Sequence, residues 1–266
     1  GLHVGMGKGV AMKGRPGEEH QEHQYQRHDL GTLMYIGDRE WRYAQMGGTP
    51  GVAGNLYQSE VPTSTWMTVT ANVAQAIGSK TISATLGSTN ASLEDEFNEG
   101  FVGIEDDAGE GFVYQIARAF KAGDANAAAA ASAVQTVNLK PGYSLIVALT
   151  TASTLGFFKN KYDEVIIHPS PPTTALAGVA MRAVTANYYC WLQTRGMCMV
   201  LADGTLVIGD SVVASDNTNG AVETQNFTLS EGTPNTLDGL QSQPTVGVCR
   251  DIGTTAEYAM IDLNIP

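Results

Sequence analysis

Cysteine, charged side chains and long apolar runs are all scarce in this sequence. Only three of its 266 residues are cysteines (Cys190, Cys198 and Cys249), which is too few for a disulfide framework and gives no CxxC pair for zinc. We therefore expect three buried free thiols. No run approaches the roughly eighteen apolar residues of a membrane span, so we expect no integral membrane protein. No basic-then-apolar leader is present either, from which we expect synthesis in the cytoplasm.

Signatures of catalysis are missing as well. The sequence contains neither a GxSxG elbow nor an HExxH zinc motif. A single histidine, His168, lies beyond the first thirty residues. A hydrolytic triad would need it as the base, with Cys190 or a serine as the nucleophile, and no motif brings such groups together. We expect a protein that is not an enzyme and that uses no cofactor.

The composition that is present favours β structure. The chain has 30 glycines and 43% hydrophobic residues, which suits short strands joined by tight turns around a sizeable core. The sequence predicts an all-β fold of sandwich- or barrel-like sheets, with an extended N-terminal arm and little helix. We divide it into a flexible arm (1–30), a β-rich domain (31–173) and a β-meander domain (174–266) that can pack with the second as one body.

Charge is spread unevenly along the chain. The net charge is −12, yet no acidic residue precedes Glu18. An acidic body repels nucleic acid and anionic lipid, so we expect no nucleic-acid or membrane partner. The basic residues of the arm are instead candidate contacts with a protein partner: Lys8, Lys13, Arg15 and Arg27.

Taken over residues 1–29, the arm has no hydrophobic period of 2 or 3.6 and is rich in glycine and polar residues, so we expect it to order only against a partner. His20, His23 and His28 are weak candidate metal ligands, and a solvated linker is the favoured reading of this segment. The acidic stretch 94–110 could hold calcium, although a solvated loop is favoured there too.

Alternation of side chains marks the strands. Trp41 and Tyr43 lie on one side of an extended segment bounded by glycines, and Ile82 alternates with polar neighbours in "SKTISATL". We assign Trp41, Tyr43, Tyr189 and Trp191 to the core. The alanine-rich stretch "GDANAAAAASAV" is short and poorly capped, which predicts a loop with a helical turn.

Residues 184–212 predict a β-meander. Tyr189 and Trp191 lie on one face of a strand, Arg195-Gly196 turns the chain, and residues 197–201 return it. Asp203-Gly204 and Asn219-Gly220 supply further hairpin turns. The final strand places Ile261, Leu263 and Ile265 on one face.

Four segments, in this order, resemble the head decoration or cement proteins of tailed bacteriophages: "GDREWRYAQMGGTPGVAGNLYQ", "GFVGIEDDAGEGFVYQIA", "YDEVIIHPSPPTTALAGVAMRAVTANYYCWLQTRGMCMV" and "GDSVVASDNTNGAVE". The resemblance covers most of residues 30–230, and "GVA" followed by "YYCWLQTRG" is its most specific part. The arm, the alanine tract and the end beyond residue 232 depart from the family.

This resemblance implies a non-enzymatic virion protein on the outer surface of the capsid. Its partners would be the major capsid protein and further copies of itself, with a trimer favoured and a dimer next. Lys8, Lys13, Arg15 and Arg27 are then the candidate capsid contacts. The alternative is a receptor- or carbohydrate-binding module on a virion or cell surface. Exposed Trp and Tyr with nearby Asp and Asn would be its distinguishing feature, with Trp66 and Trp191 as the tryptophans in question. A hydrolase is a third reading.

Overall fold

The computed structural model describes residues 11–89, 91–225 and 243–266, and these residues form an all-β protein. Strand accounts for 40% of the residues and helix for 3%, arranged in two curled sheets, which confirms the predicted fold class. Helix in the described ranges is limited to two 3₁₀ turns, Glu18–His20 and Ser64–Trp66. None of the described helical segments is long and apolar enough to span a membrane.

The strands within those ranges are short, with one exception of 13 residues. In chain order they are β1 (Met12–Lys13), β2 (Glu22–His23), β3 (Leu33–Ile36), β4 (Arg39–Gln45), β5 (Leu56–Gln58), β6 (Val69–Ala71), β7 (Thr81–Thr85), β8 (Phe101–Asp106), β9 (Val113–Gln115), β10 (Val134–Asn138), β11 (Thr154–Phe158), β12 (Ile166–Ile167), β13 (Leu176–Ala180), β14 (Tyr189–Leu201), β15 (Ser211–Ala214), β16 (Val222–Thr224), β17 (Thr245–Cys249) and β18 (Tyr258–Asn264).

The chain divides into two compact units. Unit 1 comprises Gly1–Glu60 and Lys161–Pro266, and unit 2 comprises Val61–Asn160. The domain boundaries predicted at residues 30 and 173 both fall inside unit 1. The reason is that β5 pairs with β12 and β13, so the segments on either side of unit 2 belong to one sheet. Alternation along a strand reports which face is buried and not which distant strand is its neighbour.

Unit 1 is built around β14. Its sheet runs in the order β1-β3-β4-β14-β18-β17-β15-β16, with β2, β13, β5 and β12 attached off this path. The first half of β14 pairs with β4, and the second half pairs with β18. Both pairings are antiparallel. The first half of β14 buries side chains on both faces, whereas in the second half the buried Val200 alternates with the exposed Met199. A long central strand therefore joins two parts of one sheet.

The turn predicted at Arg195-Gly196 is wrong, because β14 continues through these residues as one strand. Gly196 has a φ of 80°, and the register with β4 shifts between Gln193 and Arg195, which makes this a β-bulge. The amide of Gln193 donates hydrogen bonds to the carbonyls of Arg195 and Gly196, so the bulge has its own internal support. A positive-φ glycine serves a bulge as well as a turn.

The two later turn predictions have different outcomes. Gly204 has a φ of 78°, but the strand that follows, β15, pairs with β16 and β17 rather than with β14, so the predicted hairpin at Asp203-Gly204 is wrong. Asn219-Gly220 does connect the antiparallel pair of β15 and β16. The alternating face of β18 is as predicted, since Ile261 and Leu263 are buried.

Unit 2 is a six-stranded sheet in the order β10-β7-β6-β11-β8-β9. Its core contains Ile82, Trp66 and Phe97, and the rings of Trp66 and Phe97 meet edge to face at 5.0 Å. The alanine-rich stretch forms a loop without a helical turn. The buried amide of Asn126 stabilises this loop, because it donates to the carbonyls of Leu93 and Ala127.

Residues 11–30 fold onto unit 1 and do not form the free arm that the sequence suggested. β1 pairs with β3, and β2 pairs with the start of β14. The ring of His28 lies 5.1 Å from that of Tyr43 and 5.3 Å from that of Trp191. Two-residue strand pairs and ring contacts order this segment, and neither leaves a hydrophobic period in the sequence. Only residues 1–10, including Lys8, lie outside the described part of the arm.

Candidate binding groove

The three arm histidines have different surroundings. His20 lies 3.8 Å from Glu19, whereas His28 packs on aromatic rings. Burial is the main reason that the pKa of His23 is lowered, and the nearby Arg27 adds to it. None of the three belongs to a group of converging His, Cys, Asp or Glu ligand atoms in the described residues. The structure does not bring these side chains together as a metal site.

The basic residues of the arm are spread over its folded part. Lys13 lies in β1, and the backbone N–H of Arg15 donates to the carboxylate of Glu18. The backbone N–H of Arg27 donates to the hydroxyl of Tyr43, which anchors that part of the arm to the core. Lys8 lies outside the described residues. Of the four candidate contacts, three therefore lie on a segment held against its own unit.

Several carboxylates of the acidic stretch 94–110 are engaged with protein donors. Asp95 accepts hydrogen bonds from the backbone N–H groups of residues 123, 125 and 126. Glu96 forms an ion pair of 2.5 Å with Lys159. Asp107 accepts from the hydroxyl of Thr150 at 2.6 Å. These oxygens fasten loops to one another, which is a structural use that the dense negative charge alone does not reveal.

A hydrolase would depend on His168 and Cys190. The ring of His168 is engaged by backbone carbonyls, and the thiol of Cys190 is held protonated. Both ring nitrogens of the fully buried His168 face backbone carbonyls, those of Pro169 at 2.8 Å and Ala221 at 2.9 Å. Burial raises the pKa of the Cys190 thiol to about 12, so it stays protonated at neutral pH. All three cysteines are free and buried. This arrangement supplies neither an activated nucleophile nor a base directed at one.

The tryptophans are packed inside the two units. Trp41 is 0% and Trp191 is 2% exposed, and Trp66 is buried in unit 2. Tyr43 is also fully buried, while Tyr189 is partly buried and stacks on it at 5.9 Å. Trp41, Tyr43, Tyr189 and Trp191 form an interior cluster of unit 1, and Trp66 packs separately in the core of unit 2.

A wide apolar groove of about 700 Å³ opens on the surface of unit 1. Four of its lining side chains are methionines, of which Met197 is 36% and Met199 is 44% exposed. Methionine is flexible and polarisable, so a methionine-lined surface adapts to the shape of what it binds. The side chains that define this methionine groove are Met181, Met197, Cys198, Met199, Tyr258 and Met260.

Two glycines give the groove its shape. The ring of Tyr258 lies over Gly54, where a Cβ would come within 2.3 Å of the ring, and its hydroxyl donates to the carbonyl of Ala53. At the other end, a Cβ on Gly196 would come within 2.9 Å of the Arg39 side chain. Both glycines also have positive φ, so the groove depends on backbone conformations that other residues rarely adopt.

The floor of the groove contains two sulfur atoms in contact. The Cys198 thiol lies 3.8 Å from the sulfur of Met181. Only a soft metal ion such as Cu(I) would suit such sulfurs. Burial raises the pKa of the Cys198 thiol to about 12, which keeps the strongest potential ligand protonated. The lining of the groove is therefore suited to apolar contact.

One wall of the groove is a strand edge. The N–H of Ile265 donates to the carbonyl of Thr194, and the N–H of Ala202 also bonds across to the segment leading into β18. The even-numbered residues of β14 thus make the ladder bonds to β18, because hydrogen-bonded and non-hydrogen-bonded pairs alternate in an antiparallel sheet. The backbone groups of Met197 and Met199 point the other way.

On that other side the ladder has a gap. β4 pairs with β14 only as far as Arg195, and the next backbone bond runs from the N–H of Leu201 to the carbonyl of Gly54. Between them, the carbonyl of Met197 accepts a side-chain bond from the amide of Gln193 at 3.0 Å, and that of Met199 accepts one from the Cys198 thiol at 3.6 Å. The N–H groups of Met197 and Met199 have no backbone partner among the described residues. The groove therefore combines apolar side chains with free strand N–H groups, a combination suited to binding an extended peptide.

Sequence reasoning missed this groove. The sequence predicts a returning hairpin strand at Met197 and Met199. The residues that form the rest of the groove lie far from this strand in the sequence. The sequence signal was the run of six apolar residues at 197–202, which lacks the polar face of an ordinary surface strand although Met197 and Met199 are exposed. No protein-family model, curated protein or solved structure matches this chain.

Proposed function

We propose that this chain is a structural protein of a phage virion that binds the outer surface of the head and stabilises the junctions between coat subunits. Its partners in this proposal are the major capsid protein and further copies of itself. It is made in the host cytoplasm, uses no cofactor and catalyses no reaction. The resemblance of four segments within residues 30–230 to head decoration proteins supports the choice of partner.

The observation that carries the proposal is the methionine groove. It has the apolar side chains and the unpaired strand edge of a site for a protein segment. It lacks a nucleophile paired with a base, and its one thiol is held protonated. A site of this composition holds a chain in place and offers no means to convert a substrate.

Binding by several linked copies would suit a cement protein. A protein that binds only the assembled shell stabilises that state by mass action. Several linked copies on neighbouring sites gain effective concentration, so modest contacts add up to firm attachment. A closed oligomer with the two-, three- or sixfold relations of shell sites would present identical surfaces to each coat subunit. Here a trimer is favoured and a dimer is next.

A glycan- or receptor-binding module remains the rival proposal, and the burial of the tryptophans weighs against it. Sugar-binding surfaces commonly use exposed aromatic rings. Trp41, Trp66 and Trp191 are all buried, and Tyr258 packs over Gly54 at the groove. The described residues thus expose no tryptophan to form a carbohydrate platform, although Tyr25 is 77% and Tyr258 is 44% exposed.

Purified heads that lack this protein provide the test. Heads are incubated with the purified chain, separated by density gradient and assayed for bound protein and for the temperature at which they release DNA. The proposal predicts saturable binding and a higher release temperature. A chain that is folded by circular dichroism but binds no heads, or binds them without changing the release temperature, would contradict it.

A further inference from the structure

Residues 1–10, "GLHVGMGKGV", alternate in a way that the whole arm does not. The even positions from 2 to 10 carry Leu2, Val4, Met6, Lys8 and Val10, whereas the odd positions carry four glycines and His3. An extended peptide with this sequence has one apolar row and one nearly flat face. The flat face allows close approach to a backbone, and the apolar row can enter a groove.

The methionine groove matches such a segment in both respects. Met197 and Met199 turn N–H groups without a backbone partner towards the gap between Arg195 and Leu201, while their carbonyls accept side-chain bonds from Gln193 and Cys198. Met181 and the other thioether side chains offer an adaptable apolar surface beside that edge. A peptide that pairs with the edge would also bury alternate side chains in the groove.

Charge adds complementarity at the rim. Asp38 lines the groove, and Asp262 lies directly across from Met197 on β18. Side chains of a cross-strand pair share one face of the sheet, so this carboxylate lies on the same face as Met197. The cation nearby, Arg39, already faces Glu19 at 3.9 Å. Lys8 is the one charged residue of the segment and has the opposite sign to these two carboxylates.

The direction of β1 indicates whether residues 2–10 would reach the groove of their own chain or that of a neighbouring copy. β1 runs parallel to β3, and β3 leads towards Asp38 and Arg39 at the groove. Going backwards from Lys13 to Met12 therefore leads away from the groove of the same unit. Nine residues reach about 30 Å when extended. That length serves a neighbouring molecule directly, whereas entry into the same chain's groove requires a complete reversal.

We propose that residues 2–10 of one copy bind in the methionine groove of a second copy as a strand added to β14 at Met197–Met199. Reciprocal exchange between two copies gives a dimer, and donation around a ring gives a trimer. The inference goes beyond the proposed function, because it concerns copies of this chain in solution whether or not a phage head is present.

A labelled peptide of residues 1–10 tests this proposal, with the chain lacking those residues as the receptor. Fluorescence anisotropy should show saturable binding, and amide exchange at Met197 and Met199 should slow when the peptide is added. Met199→Glu should weaken binding at least about tenfold, because it places a charge in the apolar groove. Met199→Leu should retain binding, and Val113→Glu, at an exposed apolar position of unit 2, is the matched control.

The oligomeric state provides the second readout. In light scattering coupled to size-exclusion chromatography, the full chain should be a dimer or trimer, and the chain without residues 1–10 should be a monomer. The proposal is overturned if the folded, shortened chain does not bind the peptide, or if Met199→Glu and Val113→Glu weaken binding equally. A monomeric full chain that excludes the peptide would also overturn it, since the segment would then occupy its own groove. Binding to heads is measured separately, so its failure would count against the proposed function alone.

Discussion

Replacing Trp191 with alanine tests whether the folded arm is part of the core of unit 1. The indole is 2% exposed and lies 4.9 Å from the ring of Tyr43 and 5.3 Å from that of His28. Removing so large a buried side chain costs about 3 to 5 kcal/mol. His28→Ala removes ring contacts with both Trp191 and Tyr43, each of which contributes about 0.5 to 1.5 kcal/mol.

The two substitutions should therefore not be additive. A double-mutant cycle, measured by urea unfolding with far-ultraviolet circular dichroism, should give a coupling energy of about 0.5 kcal/mol or more between His28 and Trp191. Tyr25→Ala is the matched control in the same segment, because Tyr25 is 77% exposed and its replacement should cost less than about 0.5 kcal/mol. Additive His28 and Trp191 effects would mean that the arm does not pack on the core.

Three further predictions concern a close backbone contact, the thiols and the acidic loop. Gly247→Ala should lower the urea midpoint sharply, because a Cβ would lie 2.1 Å from the carbonyl of Asp262, whereas Gly48→Ala, which meets nothing within 4 Å, should not. The free energy of unfolding should fall from pH 9 to 12, because the unfolded chain releases thiol protons near 9.0 and burial raises the pKa of Cys190 to about 12. Asp95→Ala should cost about 1 to 3 kcal/mol in urea unfolding by leaving loop N–H groups unpaired, and Asp95→Asn less.

The sequence predicted the strand character of this protein well and its connections poorly. Alternation identified β7 and β18, because a strand with one buried face repeats every two residues whatever its partners are. The return of the chain to unit 1 after residue 160 leaves no such local mark, since it depends on pairing between β5 and β13. The same limit made the arm read as free, although β2 pairs with a strand more than 160 residues away.

The binding groove was beyond prediction for a related physical reason. A glycine that follows a polar residue indicates a turn or a bulge equally well, and at Gly196 the bulge is what occurs. Once this residue is read as a turn, Met197 and Met199 become a hairpin strand with no edge to offer. The buried aromatic residues were easier, because Trp41 and Trp191 each stand in a strand of alternating large side chains.

A cryo-electron microscopy reconstruction of heads incubated with the purified chain tests the central claim most directly. The account predicts an all-β oligomer on the outer surface across coat-subunit junctions, with density in each methionine groove that continues into residue 11 of a neighbouring copy. The same heads incubated with Met199→Glu should show weaker decoration, because linked copies lose their avidity. Undecorated heads, or decoration by separate copies with empty grooves, would contradict it.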